Sequence, residues 1–207
     1  MISATLMFVI LTVVISVAAF SNHRLQQSLW LNPYEVAHKR EYWRLLSHGF
    51  IHANGWHLAI NIFVFYSFGL FCERYFAHLS LYSSLNYPLL HFVVLYLGGI
   101  IVASIPSVIK HRDNPYYRSV GASGGVAAIV FATILFQPLQ IIYFYFIPVP
   151  GIIFGIFYLL YSQIMAKRGQ GNINHEAHFT GAVFGLIYPI LIKPELLEAF
   201  IRQLHIF

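Results

Sequence analysis

Ser123 stands in Gly121-Ala122-Ser123-Gly124-Gly125, a run of small residues that leaves its hydroxyl open to close approach by backbone or ligand. Farther along, His178 is followed by Gly181 and Gly185 at i+3 and i+7, which share its helical face. Those glycines would let one helix pack tightly against the small-residue face of another, formed by Gly124, Ala127 and Ala128, and Ser123 and His178 would then meet near one end. A serine hydroxyl is a weak nucleophile until a base lies within about 2.6–3.2 Å, and this packing offers one. His57 and Asn61, spaced i,i+4, fall on one face of a further helix, where their side-chain donors could hold the oxyanion formed when a serine attacks a peptide carbonyl. Each element has a plainer reading by itself: the small residues as helix packing, the His and Asn as a mutually satisfied pair. Glu176 lies two residues from His178, off its helical face, so the expected arrangement is a Ser-His dyad rather than a triad.

The elements that must position these residues follow from composition. The chain is 58% hydrophobic and 9% charged, against roughly 25% charged for an ordinary globular domain. About 20 apolar residues cross a hydrocarbon core, so the composition predicts six spans, at about 2–20, 56–72, 89–105, 120–136, 140–161 and 177–192. A soluble domain, a disordered chain and a disulfide-stapled secreted domain are excluded, the last because Cys72 is alone in an apolar run. Val17-Ala18-Ala19 resembles a signal-peptide cleavage site, but the segment before it lacks a positive leader, so a retained helix is expected. Residues 21–55 are too polar to cross lipid yet rich in aromatics and Leu, and are expected to lie in the interface. Gln137-Pro138-Leu139 reads as a tight turn between the fourth and fifth spans.

Spans two, four and six run in one direction, and the polar residues collect at their N-terminal ends: His52, His57 and Asn61, then Ser123, then His175, Glu176 and His178. Polar residues inside a membrane are costly and are functional candidates by default. The net charge of +5 is scattered, with no basic stripe of the kind a nucleic acid needs, so no nucleic-acid partner is expected.

These motifs together resemble the rhomboid family of intramembrane serine proteases, in its bacterial, six-transmembrane basic form. EYWRLLSHGFIHANGWHLAIN, GASGG and AHFTGAVFG fall in family order on spans two, four and six, covering about Glu41 to Gly185. The resemblance implies an all-α membrane protein, a six-transmembrane-helix rhomboid-like bundle with an interfacial first loop, filling residues 1–207 as a single membrane domain. It implies that Ser123 is the nucleophile and His178 the general base. His57 and Asn61, with the backbone amide of Ser123, look like the oxyanion hole. His52 resembles a structural histidine, Trp43 and Arg44 the family's WR pair, and Gly121, Gly124, Gly181 and Gly185 the small residues that shape the site. Glu73-Arg74 matches an acidic-basic pair that often closes span two.

The implied substrate is a protein with a single transmembrane helix, cleaved near the outer membrane face where its helix is unwound, with the lipid bilayer as the other partner and no cofactor or metal. Two features depart from the family. Some bacterial members carry a tyrosine four residues after the nucleophile, on which the base stacks, and this chain has Ala127. The other is charge: Arg24, Lys39, Arg40, Arg44, Lys110, Arg112, Arg118, Lys167 and Arg168 follow spans one, three and five, against Arg74, Lys193 and Arg202 on the other side. A positive-inside count places the first group in the cytoplasm, whereas family topology places it outside, with both termini cytoplasmic in a bacterial plasma membrane. The alternatives are a non-catalytic rhomboid-like client-binding protein and a histidine-rich metal-dependent membrane protein. His175-Glu176-Ala177-His178 is one residue short of the HExxH spacing of helical zinc proteases.

Overall fold

The computed structural model describes residues 3–82, 85–144, 146–168 and 174–204. Six helices build a bundle: α1 (Ala4–Ser21), α5 (Gly55–Tyr82), α6 (Pro88–His111), α7 (Ser123–Phe136), α8 (Gly151–Arg168) and α9 (His175–Ile192). Between α1 and α5 lie three short helices, α2 (His23–Leu29), α3 (Pro33–Lys39) and α4 (Arg44–Ser47), then a 3-10 turn at His48–Phe50. A two-stranded hairpin, β1 (Ile141–Phe144) and β2 (Ile147–Pro150), precedes α8, and α10 (Glu195–Leu204) follows α9.

Helix α7 is the centre of the bundle. Every residue from Gly124 to Phe136 is buried, against α5, α6 and α9 above all. Its 14 residues span about 21 Å, well short of a hydrocarbon core. α1, α5 and α6 are each long and apolar enough to cross a membrane, while α8 and α9, of 18 residues each, carry polar residues at one end. Tyr96 of α6 is fully buried between Phe65, stacked at 4.2 Å, and Phe8, so α1, α5 and α6 share one aromatic core.

The helix boundaries have local causes. Ser3 caps α1 by accepting from the Leu6 amide, and Asn22 both ends α1 and caps α2. Asn32 accepts from the Tyr34 and Glu35 amides with Pro33 behind it, and Arg40, at φ 61, closes α3 in a left-handed turn. Glu73 acts at long range: its carboxylate accepts from the Ala4 and Thr5 amides at 2.8 and 2.9 Å and from the Thr5 hydroxyl at 2.7 Å, placing a negative charge on the N-terminus of α1.

Two elements differ from the sequence expectation. The fifth span, expected over 140–161, is not helical at its start. Ile141–Phe144 and Ile147–Pro150 pair as the hairpin, with Ile141 opposite Pro150 and Phe144 opposite Ile147, and the helix runs Gly151–Arg168. Pro148 and Pro150 lack the amide a helix needs and push the residues before them into extended backbone, which outweighs the apolar run. α10 was not anticipated. It is short and strongly amphipathic, with Leu196 buried and Gln203 donating to the Phe136 carbonyl that ends α7. The second span also continues past residue 72 to Tyr82, α6 runs on to His111, and residue 2, where the first span was expected to begin, lies outside the described residues.

Candidate active site

The first loop holds the approach to Ser123. Arg44, buried at 8% exposure, donates to the Glu41 carboxylate at 2.6 Å and to the carbonyls of Gln27 and Trp30 at 2.9 and 3.0 Å, tying α4 back onto α2. Ser47 adds a bond to the Leu29 carbonyl. Trp43 points the other way, more than half exposed, its indole donating to the Ser28 carbonyl at 3.5 Å. The loop so braced then grips the segment leading into α7. Leu31 and Ser119 exchange both backbone hydrogen bonds, and the Asn32 amide side chain donates to the Pro115 carbonyl. The Arg118 guanidinium lies 4.6 Å over the Trp30 ring.

Two histidines complete the turn before Ser123. The His48 carbonyl accepts from the Gly121 amide at 2.9 Å. His52 is fully buried, with Nδ1 2.9 Å from the Ser16 hydroxyl and Nε2 accepting from the Ala122 amide at 3.5 Å. Ser16 gives its only hydroxyl proton to the Phe50 carbonyl, so the tautomer that satisfies all three bonds is Nδ1–H donating to Ser16. Burial pushes the imidazole down to about 3, with His57 a smaller cause, so His52 is neutral in this role. One side chain thereby joins α1, the first loop and the start of α7.

Gly121 has φ +118, a conformation side chains rarely adopt, and a Cβ there would sit 2.7 Å from Cε1 of His57. The His57 ring thus lies close against the backbone two residues before Ser123. Asn61, one turn deeper on α5 and buried, donates to the His57 carbonyl at 2.9 Å, which leaves the second amide proton for another acceptor. Ser123 is the first residue of α7 and is half-buried. Its backbone amide is among those that an α-helix leaves unpaired at its N-terminus.

Helix α9 is brought in by its glycines. A Cβ on Gly181 would collide with the Gly124 carbonyl, and one on Gly185 with that of Ala128, so the two backbones are in direct contact. On the neighbouring helix, a Cβ on Gly124 would lie against Ala103 and 3.7 Å from the Ala177 carbonyl. Ser123 and His178 are the chain neighbours of Gly124 and Ala177, and this packing sets the two side chains at one end of one helix pair. No hydrogen bond joins Ser123 to His178 in this structure; such bonds are often long before substrate binds.

The N-terminus of α9 is fixed by residues that sequence reasoning missed. Asn174 caps the helix through the Ala177 amide, and its Nδ2 donates to the hydroxyls of Ser107, at 2.8 Å, and Tyr117, at 3.2 Å. Asn174 ahead of a helical pattern is a legible cap signal, but its partners are 67 and 57 residues away. Glu176 pairs with Lys110 of α6 at 2.7 Å, so its carboxylate is engaged away from His178. His175 is buried against Tyr161 and His178, with Nδ1 unpartnered. Among the described residues, no three His, Cys, Asp or Glu side chains converge as a metal-binding group.

The fold is an all-α membrane bundle whose polar side chains gather at the like-facing ends of alternate helices. The family model described as Rhomboid domain matches residues 39–195, and the chain belongs to that family. It is a multi-pass membrane protein with a rhomboid-like helical bundle. The chain is also similar to RHOMBOID-like protein 12, mitochondrial, of Arabidopsis thaliana, 29% identical over 159 residues. That match covers 69% of this chain and 44% of the relative, so the chain spans less than half of that protein's length.

Proposed function

We propose that this protein is an intramembrane serine endopeptidase that cleaves transmembrane-helix substrates by a Ser123–His178 dyad. The observation that carries the reading is the backbone contact of Gly181 and Gly185 on α7, which sets the first turn of α9 beside the first residue of α7. Ser123 Oγ attacks the scissile carbonyl while His178 takes its proton, and the proton then passes to the leaving amine. Water repeats the sequence on the acyl-enzyme, with His178 again as base. His57, the free amide proton of Asn61 and the Ser123 backbone amide hold the oxyanion. The short α7 supports water entry, since its N-terminus lies within a bundle whose flanking helices are longer.

The test is cleavage of a model single-span substrate by purified protein. Wild type cleaves, while Ser123→Ala and His178→Ala, folded as judged by thermal melting, lose at least about a thousandfold of the rate. Undiminished cleavage by either variant overturns the dyad.

The missing Ser123–His178 hydrogen bond is the one observation favouring a second reading, a non-catalytic rhomboid-like protein that binds membrane clients. In that case wild type retains the substrate without cutting it, and Ser123→Ala retains it equally. Family topology supports cytoplasmic termini in a bacterial plasma membrane, with the Ser123 end outside. In a Cys72→Ser background, an impermeant thiol reagent applied from outside is expected to label Lys167→Cys and spare Arg202→Cys. The opposite pattern inverts the bundle.

A further inference from the structure

His178 has no carboxylate beside it, because Glu176 is paired with Lys110. Among the described residues no hydrogen bond holds its ring; its neighbours are other rings. Tyr158 of α8 lies nearly parallel to it, with 6.4 Å between centroids and 19° between planes, in an offset stack. His175 meets the same ring edge-on at 6.0 Å. Position 127, one turn after Ser123, holds a buried Ala methyl that offers no ring face.

Tyr158 is itself held firmly. Phe131, two turns below Ser123 on α7, packs against it at 5.4 Å, and Phe154 lies one turn before it on α8 at 5.9 Å. Gly155 permits this: a Cβ there would already press on Ile134 and Phe131 at 3.3 and 3.4 Å. The plane of His178 is thus set by a ring on α8 that is braced from α7, the helix that carries Ser123.

We propose that Tyr158 is the positioning residue that orients His178 toward Ser123, so that the dyad works only while α8 is docked on α7. This rests on the Ser123–His178 reading above. A dyad without an orienting carboxylate needs some other restraint on its base, and an imidazole turned out of plane no longer presents its lone pair to the hydroxyl.

The experiment separates orientation of the base from entry of substrate by using a small fluorophosphonate, which needs no transmembrane docking. In its reaction Ser123 Oγ bonds to phosphorus, fluoride leaves, and the hydroxyl proton passes to His178. Tyr158→Ala is expected to slow both this labelling and kcat for a model transmembrane substrate by about tenfold, with KM unchanged. Tyr158→Phe, which keeps the ring, is expected to stay within about threefold of wild type on both. If Tyr158→Ala melts early, Tyr158→Leu fills the space without a planar face and should show the same loss. Wild-type labelling rates in a folded Tyr158→Ala or Tyr158→Leu protein overturn the proposal, as does a loss confined to KM. Failure of the underlying reading looks different: folded wild type that neither labels nor cleaves, or labelling undiminished in His178→Ala, removes the dyad, and the role of Tyr158 falls with it.

Discussion

The two ends of the bundle treat their polar groups in opposite ways. At the end bearing the N-terminus of α1, Glu73 meets three donors, and Gln203 meets the carbonyls of Phe136 and Ala199. Glu73 closes the N-terminus of α1 and Gln203 bonds the C-terminus of α7, so both make tertiary bonds at helix ends. At the other end no hydrogen bond joins Ser123 to His178, Asn61 keeps one amide proton without a partner among the described residues, and His175 carries a buried ring nitrogen without one. Around them stand Arg44, His52 and Asn174, which each make at least two bonds. Unmade bonds inside an apolar bundle are costly, so a site that keeps them must be held by its surroundings. The difference teaches that the second end is a hydrogen-bonded frame around a less satisfied centre, whereas the first end is frame alone.

Substitutions should separate frame from centre. The largest expected effect is from Gly185→Val, whose side chain would meet the Ala128 backbone, which cannot yield. It should cost more than about 3 kcal/mol and prevent recovery of folded protein, seen as loss of a cooperative melt. A normal melt would break the claim that α7 and α9 touch through backbone. Asn61→Ala comes next, expected under the proposed mechanism to lower kcat about 10²-fold while leaving KM and the melting temperature close to wild type, because the proposed bond forms with the oxyanion. An equal loss of stability would move Asn61 from the centre to the frame. Glu73→Gln should do the reverse, destabilising by about 2 kcal/mol with the kcat of the folded fraction unchanged.

Acid should act on the frame as well. His48 is held by burial at about 4 and His52 at about 3, both below the unfolded value near 6.5. As pH falls below about 6.5 the unfolded chain takes up protons that the folded chain refuses, so stability present at neutral pH drains away toward pH 4. Thermal melts at pH 7.5 and 5.0 should show the lower midpoint at pH 5.0. The smallest effect is expected from Gln203→Ala, about 1 kcal/mol of stability with no change in turnover.

Much of the candidate site was legible because its signals are short-ranged. His57 and Asn61 share a face by helical period, Gly181 and Gly185 follow His178 on its face, and the family motifs contain these residues within a few positions of each other. The hairpin was legible in principle, since Pro148 and Pro150 mark it, but the surrounding apolar run has the composition of a membrane helix. α10 was missed because ten amphipathic residues after a span look like any polar tail until something packs on them.

By itself the sequence determined that apolar helices would form and which residue types were available for chemistry. Those outcomes depend on interactions within one or two helical turns. Only the tertiary structure decided that Glu73 would close α1, that Arg44 and His52 would brace the turn before Ser123, and that Tyr158 would lie on His178. Which of several like side chains meets a distant partner is set by how the whole bundle buries α7, and no local pattern along the chain carries that information.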